Sequence, residues 1–229
     1  MDDRQVLTVI CPPLFSEFAR TYMALRKLAI SIAEAGYHVF RFDYRGTGDS
    51  FGDLTEVNVS DWIEDIRLAI KEGREVSGCS KVQILAVRAG ALLVCASVEV
   101  VLEVERLVLW DPIHDGPGYL QALRSYHLQN VENNFKLSRV ESREVINDIA
   151  GWHISERMHE EFISLNSDLY SLVPKNKLHI VHTALASNFL PQGVIRDIVS
   201  YPCNWESDDE DLINPQPVLE RLYECLTKS

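Results

Sequence analysis

An α/β fold built on a mostly parallel sheet is predicted by three features of this sequence. Short β-branched or apolar segments alternate with amphipathic helical ones along the chain. Segments such as "VLTVIC" and "KVQILAV" are apolar at nearly every position, as strands covered on both faces are. The stretch "KVQILAVRAGALLVC" at 81–95 passes from strand to helix through the small-residue run "AVRAG", a sharp corner with Arg88 at its centre.

The elements follow in order. Residues 5–11 read as a strand stopped by Pro12 and Pro13, which cannot continue a ladder. Phe18, Tyr22, Leu25, Leu28 with Ala29, and Ile32 recur every three or four residues, which predicts a helix over 18–35 closed by Gly36. "HVFRFDY" at 38–44 is the second strand, followed by the turn "RGTGDSFGD". Ser60 or Asp61 caps a helix whose inner face is Trp62, Ile66, Ala69 and Ile70. The third strand at 81–87 leads into a helix over 89–101. Strands at 104–112, 177–185 and 195–202 and a terminal helix at 217–226 complete the pattern. Between the fourth and fifth strands lies a polar, helix-like insertion at 113–170, with helices expected at 117–127, 140–150 and 155–165. Its natural place is as a cap over the carboxyl ends of the strands, where the crevices of such sheets open. A length of 229 residues suits one domain, 1–229, with this cap inside it.

Composition excludes several classes of function. A formal net charge of -12 disfavours nucleic acid and anionic membrane surfaces, which require clustered Lys and Arg. No run approaches the roughly 18 to 20 apolar residues of a membrane span, and "MDDRQVLTVICPP" is acidic where a signal peptide is basic, so a cytoplasmic protein is expected. The five cysteines, at 11, 79, 95, 203 and 225, are scattered without a Cys-x-x-Cys pair, which predicts neither a disulfide framework nor a zinc site. His179 and His182 are three apart on a strand and face opposite ways, so that pair does not share a metal. "RGTGDSFG" matches neither nucleotide-binding fingerprint, and no cofactor is expected. The acidic run at 206–211 reads as a solvated loop, and the oligomeric state is left open.

The order of elements, the segment "GYHVFRFDYRGTGDSFG" and the small-x-Arg-x-Gly corner together resemble the α/β-hydrolase superfamily over nearly the whole chain, with the family's leading hairpin missing. Within it, "CPPLFSEFART", "FRFDYRGTGDS", "AVRAGALL" and "LVLWDPIHDGPGYLQALR" are most similar to the hydrolases that accompany exosortase and exopolysaccharide systems, whose elbow also carries Arg. The resemblance implies a nucleophile on the elbow, then an acid, then a histidine after the last strand. Position 88, however, is an arginine, which offers donors and no lone pair. The last histidine in the chain is His182, and Trp205 stands about where the catalytic histidine belongs. "HTALASNFLP" supplies Ser187 and Asn188 but no acid, which leaves Asp111, at the end of the preceding strand, as the one triad position filled. Losing the serine or histidine of such a triad lowers turnover by a factor on the order of a million. The resemblance also implies an oxyanion-hole-like pair from the backbone N–H groups of Leu14 and Ala89, since Pro12 and Pro13 have none.

A cation just before a helix N-terminus needs an anion beside it. Glu17 and Asp111 are the nearest by topology, and a ligand carboxylate or phosphate is the other possibility. His114 and Asp115 form either an acid/base pair in the cleft or a turn before a helix; His153 either faces the cleft from the cap or simply precedes a helix. Cys11 is a buried thiol or a nucleophile, and Asp43, Arg45, Asp49 and Ser50 brace a loop. The function expected is that of a hydrolase-like fold with a degenerate triad, a pseudoenzyme that binds a small anionic or acyl ligand, or a protein partner, around Arg88, Leu14, Ala89, Glu17 and His153. The alternatives are an atypical hydrolase or acyltransferase acting on esters or thioesters through Arg88 with His114 or Asp111, and a structural subunit of a biosynthetic or export assembly.

Overall fold

In chain order the strands are β1 (Val6–Cys11), β2 (His38–Arg41), β3 (Lys81–Val87), β4 (Arg106–Trp110), β5 (Asp148–Ile149), β6 (Trp152–His153), β7 (Leu178–His182) and β8 (Ile195–Ile198). The helices are α1 (Phe15–Glu34), α2 (Val59–Ser77), α3 (Ala89–Ala96), α4 (Val98–Glu103), α5 (Gly116–Phe135), α6 (Glu156–Ile163) and α7 (Gln216–Thr227). This is a computed structural model, and it describes residues 5–135, 148–149, 152–183, 190–205, 212 and 214–228. Six strands make one sheet in the order β2-β1-β3-β4-β7-β8, every neighbouring pair parallel.

The two-sided apolar character of the strands has a direct structural cause. Val9, Ile84 and Leu109 point into one core, with Trp62, Ile66 and Leu92, whereas Ile10, Leu85 and Val108 point into a second, with Leu25, Leu28 and Leu222. Alternation with a period of two sends consecutive apolar residues to opposite faces, each covered by helices. No helix among the described residues is long and apolar enough to cross a membrane.

Several boundaries differ from the sequence expectation. The segment expected as one helix at 89–101 breaks at Ser97, whose backbone is extended (φ -99°, ψ 93°) and whose carbonyl opens α4 by accepting from Val101 N–H. The second strand ends at Arg41 rather than at 44. The expected helix at 117–127 continues to Phe135, and that at 155–165 is the shorter α6, capped by Ser155 Oγ accepting from Met158 N–H. The expected helix at 140–150 lies largely outside the described residues, but Asp148–Ile149 is a strand, pairing antiparallel with Trp152–His153. The loop with Ser187 and Asn188 and the acidic run at 206–211 also lie outside them.

Residues that follow the carboxyl ends of adjacent parallel strands must converge, and here they are Leu14 after β1, Arg88 after β3, Asp111 after β4 and Thr183 after β7. The close approach of α3 to the end of β1 requires Gly90, because a Cβ there would lie 2.7 Å from Pro12 O and 3.0 Å from Cys11 O. Gly90→Ala is therefore expected to destabilise the fold by about 1–3 kcal/mol, the usual range for overpacking, in a urea titration; an unchanged midpoint would show that the corner can relax.

Candidate functional site

Arg88 is a non-glycine residue with φ 53° and ψ -121°, wedged between β3 and α3, and its N–H donates to Trp110 O at 3.0 Å. This backbone is sparsely populated for L-residues and persists only where surrounding structure imposes it. Phe15 (φ 53°) and Asp111 (φ 43°) share the property, so three strand ends that meet at this spot carry it together.

The guanidinium is met by an anion from α1. Arg88 Nε donates to Glu17 Oε1 at 3.0 Å, and Arg88 Nη1 to the Asp111 carbonyl at 3.3 Å. Glu17 is 1% exposed and Arg88 17% by side chain, so the pair is largely removed from water. Tyr119 on α5 donates its hydroxyl to Glu17 Oε2 at 3.0 Å, which satisfies the second carboxylate oxygen. Burial pushes the Glu17 carboxyl up from its ordinary value, against the pull of Arg88 and Tyr119. For Arg88 burial is the largest influence and opposes the charge, but Glu17, Tyr119 and Asp111 together outweigh it and the guanidinium is held protonated. Of the two protein anions named from topology, Glu17 gives its carboxylate and Asp111 only its backbone oxygen.

The Asp111 carboxylate is occupied elsewhere. Its Oδ1 accepts from Thr183 N–H at 2.8 Å, and its Oδ2 accepts from the Thr183 hydroxyl and from Trp205 Nε1–H at 2.9 Å. His182 Nδ1 lies 3.7 Å from Oδ1, and the Nε2 of that buried ring has no hydrogen-bond partner among the described residues. Burial alone would raise the Asp111 carboxyl, but His182, Thr183 and Trp205 together hold it below its ordinary range. Trp205 closes the arrangement: the Arg88 guanidinium lies 4.8 Å from the centroid of its ring. Trp110 meets the same ring edge-on at 5.3 Å, and Arg20 on α1 donates to the carbonyls of Trp205 and Asn204 at 2.9 and 2.7 Å.

The remaining candidates separate from this cluster. His114 is 57% exposed by side chain and its Nδ1 is bonded to Asp115, whose other oxygen accepts from Gly118 N–H at the start of α5, the pattern of a helix-start turn. His153 lies on β6, where alternation turns Trp152 inward, 6.4 Å from Phe15, and His153 outward, within electrostatic reach of Asp53. His153 thus faces away from the core and stands two residues before Ser155, the cap of α6, as expected of a residue that precedes a helix, though it does so from a hairpin strand. Leu14 lies beside the cluster, its carbonyl oxygen 3.4 Å from the Tyr119 hydroxyl oxygen, and Ala89 opens α3 fully buried. Cys11 is buried and its thiol is pushed far up by desolvation, which makes it inert. Arg45 binds Asp65 through Nε at 2.8 Å and braces the loop as its sequence suggests. Tyr119, Thr183 and His182 were not singled out for this site, since each reaches it from an element distant in sequence.

Comparison with known proteins agrees with this architecture. The family model for serine aminopeptidase S33 matches residues 14–185, well over half of the sequence, and the chain belongs to that family of α/β-hydrolases. Among solved structures, one from the study of LipS and LipT, two metagenome-derived lipolytic enzymes, superposes with a TM-score of 0.61 at 16% identity, covering 99% of this chain and 95% of that one. The hypothetical protein PA2218 of Pseudomonas aeruginosa gives 0.61 at 13% identity over 99% and 85%, and Est1E of Butyrivibrio proteoclasticus, solved with ferulic acid bound, 0.55 at 13% over 97% and 86%. At such identities the likeness is one of fold. A search of curated proteins finds no match.

Two outcomes are expected for the cluster. Arg88→Ala leaves Glu17 buried without its cation and is expected to cost about 3–5 kcal/mol, whereas adding Glu17→Ala costs much less than a second such loss; a double-mutant cycle by chemical denaturation measures the difference. Asp111, with its carboxyl depressed in the folded state, contributes stability that is present above the ordinary carboxylate value near 4 and is lost as pH falls through the lower folded one. Stability should thus fall with acidification below about pH 4, with a shallower slope in Asp111→Asn, as melts across pH would record.

Proposed function

We propose that this protein is an α/β-hydrolase-fold member that performs no serine-triad hydrolysis and instead binds a small anionic or acyl ligand at the Arg88 corner. One observation carries the reading. The family's nucleophile, acid and histidine come in that chain order, and the corner, the end of β4 and the loop after β8 here present Arg88, Asp111 and Trp205, in mutual contact. Neither a guanidinium nor an indole has a basic lone pair with which to attack a carbonyl or accept a proton.

Anion binding is supported by the character of the corner. The guanidinium stands at the N-terminus of α3, where the helix dipole also favours negative charge. Glu17 holds its Nε edge, and among the described residues Nη2 makes no hydrogen bond. A ligand carboxylate therefore has an edge to approach and Glu17 to compete with. The resemblance to hydrolases that accompany exosortase and exopolysaccharide systems makes uronic acids and short acyl thioesters the first compounds to try. An atypical hydrolase has less in its favour, because the Asp111 oxygens are engaged and His114 is turned to solvent against Asp115. A structural subunit is the second reading: Glu17 and Asp111 are buried, and the Arg88 side chain is only 17% exposed.

The test combines turnover and ligand-dependent melting. Purified wild type is expected to hydrolyse aryl esters and acyl thioesters no faster than buffer, and its melting temperature to rise with acetate, uronate or a short acyl thioester. The folded double variant Glu17→Gln/Arg88→Gln should lose that rise. Turnover abolished in Arg88→Ala with the fold retained would overturn the proposal in favour of the atypical enzyme; no shift with any compound would favour the structural subunit.

A further inference from the structure

We infer a divalent-cation site, of zinc-like thiophilic character, formed by His179, Asp197 and Cys225. The ligand atoms come from three elements, β7, β8 and α7, and lie within 4.8 Å of one another. Parallel pairing aligns His179 with Ile195 and Val181 with Asp197, which puts His179 and Asp197 on the same face of the sheet. That face is the one α7 covers, and Cys225 in its last turn reaches down to both. His179 is the second residue of β7 whereas His182, beside Asp111, is the last, so this cluster lies about 10 Å along the strand from the Arg88 corner at ordinary strand rise.

The distances fit a metal better than a catalytic relay. A Cys-His-acid relay uses the two ring nitrogens separately, one for the acid and one for the thiol. Here both contacts fall on the same nitrogen: His179 Nε2 is 2.5 Å from Asp197 Oδ2 and 3.4 Å from Cys225 Sγ. The third side, Cys225 Sγ to Asp197 Oδ2, is 3.8 Å. Three atoms that converge on a common point are what coordination requires. With ideal tetrahedral angles and zinc bonds of ~2.3 Å to sulfur and ~2.05 Å to nitrogen or oxygen, the edges to sulfur are ~3.55 Å and the nitrogen-to-oxygen edge ~3.35 Å. The two sulfur edges bracket the ideal. Only the hydrogen-bonded His-Asp edge must open, by ~0.8 Å, as the metal takes the place of the shared proton.

The charges also close. A thiolate and a carboxylate neutralise a dication, and the neutral imidazole supplies the third bond. Arg221 Nη2 lies 2.8 Å from the same Asp197 oxygen and competes for it, but Arg221 Nη1 is already 2.9 Å from Glu224 Oε2, which can retain the guanidinium when Asp197 turns to the metal. The cluster borders a surface pocket of about 290 Å³ whose lining includes His179, Cys225, Arg106, Lys177, Arg221 and Glu224, the last paired with Arg221 and Lys228. Three protein ligands and an open side match the pattern of zinc sites that keep a position for water or an exogenous group.

The test is binding of Zn²⁺ to the purified full chain in competition with a chromogenic chelator, followed by Co²⁺ as a spectroscopic probe. One equivalent should bind, and Co²⁺ should give a thiolate charge-transfer band. Cys225→Ser and His179→Gln should each weaken Zn²⁺ by ~10-fold or more, at least the loss that outer-shell partners produce, and Cys225→Ser should remove the band. Cys203→Ser, at the partly exposed thiol, should leave both unchanged. Far-ultraviolet dichroism establishes that each variant is folded, and Asp197→Asn, which keeps the side chain's shape, must weaken binding as well. Absence of stoichiometric binding, or binding unaltered in the Cys225 and His179 variants, would overturn the assignment.

Discussion

The buried ion pair between Arg88 and Glu17 is the constraint around which the strand ends are organised. A guanidinium held largely out of water at a helix N-terminus is costly on two counts, desolvation and the helix dipole. Glu17, in the first turn of α1, answers both, and Tyr119 of α5 completes its hydrogen bonding. One charge thereby ties the strand-to-helix corner after β3 to α1 and to the segment that follows β4. Phe15, held in a left-handed backbone, begins the helix that presents Glu17, and its ring lies 6.0 to 6.4 Å from those of Trp62, Tyr119, Trp152 and Phe162.

Around that pair the cleft of a hydrolase fold has become a set of mutually satisfied contacts. Trp205 uses its indole N–H on Asp111 and its π face on Arg88, so one side chain serves an anion and a cation at once. Asp111 in turn takes donors from Thr183 and Trp205, a strongly satisfied carboxylate with little capacity to act as a base. Arg88, Asp111 and Trp205 thus satisfy one another where the strand ends meet.

The second cluster illustrates a different use of the same scaffold. Residues 179, 197 and 225 meet because β7 and β8 pair in register and the last helix returns across them. Both clusters depend on parallel pairing, one at the carboxyl ends of the strands and one on the face beneath α7.

How much was legible beforehand follows from the range of the forces involved. Alternating apolar strands and 3.6-residue helical periodicity are local patterns, so the parallel sheet, its element order and the corner at Arg88 could be read from the chain, as could the two anions nearest Arg88 by topology. The split at Ser97, the β5–β6 hairpin and the outward turn of His153 could not, because packing against neighbouring elements decided them. The choice of the Glu17 carboxylate over that of Asp111, the capture of Asp111 by Thr183 and Trp205, and the meeting of His179, Asp197 and Cys225 were also settled in three dimensions. Sequence by itself determined which chemical groups stand at the corner after β3, at the end of β4 and in the loop after β8, since residue identity fixes whether a lone pair exists. Tertiary structure alone decided which charges face one another, because hydrogen bonds and ion pairs depend on ångström separations that sequence spacing does not encode.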